Sequence, residues 1–521
     1  MLAVSGGEYN GSTGIVSGFR PSAFGSRLLV PAADGRVAAT WPPVPGVYFT
    51  FALPLICASG PLGLRSYLLV DSILLNLLFD AVVLIAVVVI MFRRVSFWHP
   101  LAVYLLFHVF SYTMRGWDLY AGATPMYGNT ANFEVVTEAE ISRALLWADV
   151  ALIFFVFGCL WAQARFGRTA QRPVQRRVLN PRIIAAVCAV CLPAGLFVFL
   201  SIKSGGIEIG EDFAATNYLS VVAMWPIGCL TALIFTYGFR PQWLILVALY
   251  LSFVALQGYH RFMLVLPLLF FAAYYLQARR RRWPTLTIVI GAVLVALLFP
   301  RLKMIGAAFQ QGETAEVVTQ LKDSFDRNKK LEEGENFLDQ FAAGLTMTDF
   351  AEKKYLGSTY LAIITLPVPR AWWANKPGLA DHLVEISTST RQYNVEGRIL
   401  TYVGEAYLNY GYAGIFIVPL LLGFGLTTFC LRATTGPMDR LSRYLYLISF
   451  MILVQVFRDG MLSLFVFTIV HNMPMLFIWI LHSIPGLAPK VWDLPPADPM
   501  ALEHGNITPP FAAQPPGPPR R

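Results

Sequence analysis

The sequence predicts an all-α polytopic membrane protein: about 12 transmembrane helices with one large extracytoplasmic loop containing amphipathic and re-entrant segments. Three observations predict it. Of 521 residues, 56% are hydrophobic and 14% charged, with a mean hydropathy of +0.57; a soluble domain of that balance exposes too much apolar surface. Apolar runs recur from residue 47 to residue 482, each near the ~20 residues that cross a bilayer. None alternates apolar and polar residues as the strands of a transmembrane barrel do.

In chain order, residues 1–44 are rich in Gly, Ser and Pro and read as a disordered cytoplasmic N-terminus without a cleavable signal peptide. Residues 45–300 read as a first transmembrane bundle, with spans near 47–63, 67–92, 97–114, 143–162, 182–202, 218–238, 243–257, 261–277 and 284–300. The first of these is the weakest, since Pro54 interrupts it and Gly60-Pro61 ends it. Residues 301–410 form the large loop, and 411–482 the last spans, near 411–431, 442–457 and 462–482. Residues 483–521 are a disordered Pro-rich tail.

Basic residues orient the bundle. Arg93-Arg94, the Arg165–Arg182 loop, Arg240, Arg279–Arg282 and the Arg432–Arg443 loop all fall on one side of this map, the cytoplasmic side. That accounts for the net charge of +9 and removes the reason to invoke nucleic acid. All six cysteines lie inside apolar runs. The Cys188/Cys191 pair has no second pair nearby and reads as helix packing.

The outer side carries the candidate chemistry. Within 310–355, Val317, Leu321 and Phe325, and then Phe337, Phe341 and Leu345, recur every four residues. That spacing predicts two amphipathic helices lying on the membrane face. Next comes YLAIITLPVPRAWWANKP, residues 360–377. Its apolar part is too short to cross, and Pro367 and Pro369 force extended backbone. One reading seats Trp372, Trp373, Arg370 and Lys376 among lipid headgroups. The other folds the stretch over a polar cavity.

Further outward cations favour the cavity: Arg115, His260-Arg261, Arg391, Arg398 and Arg458. Cations there run against the positive-inside bias, and an anionic ligand explains them, because arginine grips phosphate through a planar fork. Glu405, at the entry to a late helix, reads either as a salt-bridge partner or as a group that activates a hydroxyl. Asp71 and Asp80, nine residues apart in one span, read as structural pairs with basic side chains, proton coupling being the alternative. His108 and His471 read as satisfied core histidines. No ligand cluster for a metal is visible in the sequence.

Two stretches then point to a family. PRAWWANKP (Pro369–Pro377) has the form P-x-x-W-x-x-K-P, and GEAYLNYG (Gly404–Gly411) has the form G-E-x-Y-x-N-x-G. With about a dozen helices and one late outer loop, the chain resembles the Wzy-type polymerases of O-antigen and exopolysaccharide repeat units, relatives of O-antigen ligase in the glycosyltransferase C superfamily. The resemblance implies a metal-independent glycosyltransferase without cofactors, in the bacterial cytoplasmic (inner) membrane with its site facing the periplasm. Such an enzyme joins oligosaccharide units carried on undecaprenyl pyrophosphate and releases a lipid pyrophosphate. It works among membrane lipids, beside a flippase and a polysaccharide chain-length regulator.

The expected catalytic residues are Glu405, Arg370 and His382. Those expected to hold pyrophosphate or sugar are Arg261, His260, Lys376, Arg391, Arg398, Arg458, Trp373 and Tyr407. O-antigen ligase shares fold and leaving group, and a lipid-linked oligosaccharide flippase is the rival from another class. The flippase predicts charges deep within the bundle.

Overall fold

The structure is a computed structural model. It describes residues 72–123, 136–167, 176–177, 179–204, 222–256, 262–279, 281–298, 337–350, 352–365, 368, 372–373, 400–434, 440–461, 472–487 and 490–491. The expected span at 47–63 lies outside them.

The first described helix, α1 (Ile73–Arg94), starts where the Ser72 hydroxyl accepts the Leu75 N–H and runs through a long aliphatic stretch. Next, α2 (Pro100–His108), a π-helical turn (Val109–Thr113) and α3 (Met114–Tyr120) follow one another without leaving right-handed backbone. The π turn re-aims the side chains beyond it, a device common at functional sites.

Helix α4 (Glu138–Phe166) opens on a capping box. The Thr137 hydroxyl accepts the Glu140 N–H, and the Glu140 carboxylate accepts the Thr137 N–H. The cap starts the helix ahead of the expected span at 143, so Arg143 stands in a formed helical turn.

Then come α5 (Pro181–Ser204), α6 (Trp225–Tyr237), α7 (Pro241–Leu256), α8 (Phe262–Ala278) and α9 (Leu286–Leu298). They are followed by α10 (Phe337–Phe350), α11 (Ser358–Thr365), α12 (Thr401–Tyr410), α13 (Tyr412–Thr434), α14 (Arg440–Asp459) and α15 (Met473–Ser483). Among the described residues, five helices are long and apolar enough to cross a membrane: Ile73–Phe92, Glu138–Phe166, Pro181–Leu200, Tyr412–Thr434 and Leu441–Asp459. The chain is an all-α membrane protein. Two short strands, β1 (Arg176–Arg177) and β2 (Lys490–Val491), pair antiparallel. The Asn180 N–H also donates to His482, 2.8 Å away. These contacts hold the segment before α5 and the segment after α15 at one end of the bundle.

Helices α4 and α13 pack closely along their length. A Cβ on Gly158 would lie 2.1 Å from the Leu420 carbonyl, and one on Gly423 would lie 2.3 Å from the Phe155 carbonyl. The backbones touch because both positions lack side chains, as in small-residue crossings of membrane helices. Neither carbonyl can rotate away, so Gly158→Ala is expected to cost about 1–3 kcal/mol. Thermal unfolding of the purified variant in detergent reads this. Below the crossing, Tyr104, Phe155, Tyr402 and Phe457 meet with ring centroids 4.6–5.8 Å apart. They join α2, α4, α12 and α14 in one aromatic hub.

Helix α10 corrects an expectation. The spacing of Phe337, Phe341 and Leu345 predicts a helix on the membrane face, but Leu338, Phe341, Ala342, Ala343 and Leu345 are buried, packed against α4 and α12. The small residues Ala342, Ala343 and Gly344 allow the close approach. Asp339, on the same helix, is buried against Arg115.

Candidate functional site

Helix α12 carries most of the stretch GEAYLNYG, and its polar residues organise the end of the bundle where α4 begins and α14 ends. Asn409 donates to the Thr359 hydroxyl (2.6 Å) and accepts the Gly357 N–H (2.9 Å), which fastens α11 to α12. The helix ends at Gly411, whose φ of +62° lets the chain turn at once into α13.

The Glu405 carboxylate is almost fully buried, at 1% exposure. Its Oε1 accepts the Thr359 hydroxyl at 3.0 Å and its Oε2 accepts the Met461 N–H at 2.7 Å. A Cβ on Gly460 would sit 2.3 Å from Oε2, and Gly460 has a φ of +93°. Only glycine lets the turn after α14 close on this carboxylate. Burial pushes the Glu405 carboxyl up to about 7, and the two hydrogen bonds only partly offset it. Among the described residues it has no cationic partner, so the salt-bridge reading of Glu405 finds no support there.

Two residues along α12, Tyr407 points elsewhere. Its hydroxyl donates to Asp349, which is also paired with Arg143 and lies 3.5 Å from Lys354. Arg143 further donates to the Tyr412 hydroxyl at 2.6 Å, and the Lys354 ammonium sits 4.4 Å from the centre of the Tyr407 ring. Two cations thus share one carboxylate, at 25% and 32% exposure. Burial raises the Asp349 carboxyl, but Arg143 and the Tyr407 hydroxyl outweigh it and hold the group below its usual range. Burial lowers the Lys354 ammonium and Arg143 repels it; the Asp349 carboxylate does not fully compensate. Among the described residues the cluster therefore carries two partly exposed cations against one carboxylate.

Of the other expected residues, Arg458 closes α14. It lies 3.5 Å from Asp459, and its guanidinium lies over the Phe337 ring. Trp373, like Trp372, is exposed. Arg370, His382, Arg261, His260, Lys376, Arg391 and Arg398 lie outside the described residues, as do Asp71 and His471. Arg115, read from the sequence as an outward cation, is instead inside α3, donating to Asp339 through Nε (3.1 Å) and Nη2 (2.6 Å).

A second polar group lies deeper. His108 Nε2 is 3.1 Å from Asp80 Oδ1 and 3.1 Å from Asp149 Oδ1, and all three side chains are fully buried. His108 is therefore not a lone core histidine. Asp80 does find the basic partner expected of it, but shares that partner with a second carboxylate. These are residues that can hold a metal ion, a group the sequence did not reveal. Comparisons with known proteins return no match: no family model, curated protein or solved structure is similar to this chain.

Sequence reasoning missed Arg143, Asp349, Lys354 and Asp149. The T-E-A-E capping box before Arg143 was a usable signal. A carboxylate inside an apolar run was the signal for Asp149.

Proposed function

We propose that this protein is a membrane glycosyltransferase of the polymerase type. It joins oligosaccharide repeat units carried on undecaprenyl pyrophosphate at the outer face of the cytoplasmic membrane and releases a lipid pyrophosphate. The observation that carries the reading is the Arg143–Lys354 pair sharing Asp349, held by Tyr407 of the G-E-x-Y-x-N-x-G stretch. A pyrophosphate leaving group gains negative charge in the transition state. A preorganised guanidinium beside it is worth ~3–4 kcal/mol.

In this reading Arg143 and Lys354 receive phosphate oxygens together with the arginines of the large loop, Arg370 first among them. Glu405 positions α12 and handles the proton of the acceptor hydroxyl. The exposed aromatic residues Trp372 and Trp373 seat the loop against lipid and sugar.

The test is purified protein with a synthetic lipid-pyrophosphate-linked repeat unit in EDTA, read as a product ladder. Arg143→Ala is expected to lower the rate about 10²-fold or more, and Lys354→Ala less, with the ladder intact in the wild type. A ladder unchanged in Arg143→Ala removes this cluster from the chemistry.

One observation favours a second reading, a lipid-linked oligosaccharide flippase: the charged triad Asp80–His108–Asp149 lies deep between membrane helices. Movement of the lipid across reconstituted vesicles, abolished by Asp149→Asn, with no ladder from any substrate tried, decides for it.

A further inference from the structure

The triad raises a charge problem that the proposed chemistry does not use. Asp80 on α1, His108 at the end of α2 and Asp149 on α4 converge from three helices. Among the described residues, no arginine or lysine reaches either carboxylate. One imidazole N–H faces two carboxylate oxygens at 3.1 Å and can satisfy only one fully. Two ionised carboxylates carry two negative charges and one imidazole, even protonated, offsets only one, so a net charge stays in an apolar interior unless a proton or a cation is added.

The unused atoms point the same way. Asp80 Oδ2, Asp149 Oδ2 and His108 Nδ1 are buried without a hydrogen-bond partner. The hydroxyl of Thr113, which is 8% exposed, lies beside Asp80 without a well-aligned hydrogen bond, and the Asp80 and Asp149 carboxyls face one another. Thr113 ends the π-helical turn that begins just after His108. Buried polar atoms are normally paired, so several such atoms aimed at one place form a polar pocket suited to an ion, a water or a shared proton.

We propose that Asp80, His108 and Asp149 bind a divalent transition metal, zinc by preference, as a structural site within the helix bundle. Two carboxylates, a neutral imidazole and a divalent cation sum to zero charge. Imidazole with carboxylates is a zinc-type donor set. Donors around a tetrahedral zinc stand about 3.3 Å apart, given bonds of about 2.0–2.1 Å, and the two 3.1 Å separations here are close to that.

The site fastens α1, α2 and α4 together. It also reaches α12: the Tyr112 ring lies 5.2 Å from the His108 ring, and its hydroxyl donates to Thr401 at 3.0 Å. The inference does not rest on the glycosyltransferase reading. A resident metal here would remove the main support for the flippase, since a zinc-filled triad is not an exchangeable coupling site. Full burial also keeps the metal from EDTA in a short assay, so a ladder in EDTA and a structural zinc are compatible.

The experiment uses the full chain purified in detergent. Metal content is measured by mass spectrometry, Zn²⁺ alone is added in a thermal-unfolding assay, and Co²⁺ alone is used as an absorption probe. Near-stoichiometric zinc or cobalt in the wild type is expected, with visible cobalt d–d bands lacking the thiolate charge-transfer absorption that the buried free cysteines Cys188 and Cys191 of α5 and Cys229 of α6 would give. Asp149→Asn is expected to lose the metal and the Zn²⁺-dependent rise in unfolding temperature, while Cys229→Ser keeps both.

Wild-type protein that holds no metal and is not stabilised by Zn²⁺ overturns the proposal and leaves a proton-sharing triad. Metal retained fully in Asp149→Asn, or a thiolate spectrum, places the ion elsewhere and also overturns it. The wild-type metal content and cobalt spectrum can each overturn the proposal, so a misfolded variant does not leave it untested.

Discussion

Arg115→Ala is expected to destabilise the protein by about 3–5 kcal/mol. The cause is what stays behind. Asp339 is fully buried, and the guanidinium grips both of its oxygens. Remove the fork and a carboxylate remains inside the bundle without its main donor. An exposed arginine serving only as a ligand contact would cost little stability when truncated, so unfolding of the detergent-solubilised variant separates the two roles. The double replacement Arg115→Met with Asp339→Leu is expected to recover most of the loss, because it removes both charges and keeps the volume. If Arg115→Ala unfolds like the wild type, the pair does not hold α3 to α10.

That pair also shows which parts of this fold the sequence made legible. Hydropathy located the long helices: the expected spans near 67–92, 182–202, 411–431 and 442–457 correspond to α1, α5, α13 and α14. These depend on local composition, which a sequence displays directly. The placement of α10 and α12 does not. Both lie within the 301–410 segment expected to be an outer loop, and both are buried against the membrane helices. What draws them inside is long-range pairing, Arg115 with Asp339 across 224 positions and Arg143 with Tyr407 across 264. No periodicity records such partners.

The site was legible to the same degree. Glu405 and Tyr407 were marked by their motif, and both prove to be organising residues. Arg143 was hidden because it reads as an interfacial cation at the end of its span, while its partner Asp349 lies 206 positions away. Asp149 was hidden because one carboxylate hardly lowers the average of a long apolar run. His108 looked solitary because its two partners come from other helices.

Glu405→Gln is expected to flatten the pH dependence of stability. An unfolded glutamate loses its proton near 4.5, whereas burial in the folded protein holds it to about 7. Between those values the folded state binds more protons, so stability falls as pH rises and levels off above about 7. The full effect is about 3 kcal/mol. Below the unfolded value both states are protonated and the term is constant, so Glu405 penalises the protein only on the alkaline side. Asp349 works in the opposite sense. Its lowered value gives stability present above the unfolded carboxylate range and lost as pH falls through the folded one. The wild type should therefore unfold more easily at pH 8 than at pH 5, and Glu405→Gln should not.

The same variant separates two jobs. Glutamine can still accept the Met461 N–H through its oxygen, so it keeps the turn after α14 seated on α12. It cannot take a proton. Loss of the ladder by about 10²-fold or more with no loss of stability at pH 7 would make Glu405 the group that activates the acceptor hydroxyl. An unchanged ladder with the flattened profile would make it the anchor of that turn alone. In the proposed glycosyltransferase reading, His382 would then be the next candidate for the base. At 1% exposure, Glu405 reaches a sugar hydroxyl only if the Gly460 turn lifts away. Gly460→Ala, which crowds that carboxylate, is therefore expected to change turnover along with stability if Glu405 is the base, and stability alone if it is the anchor.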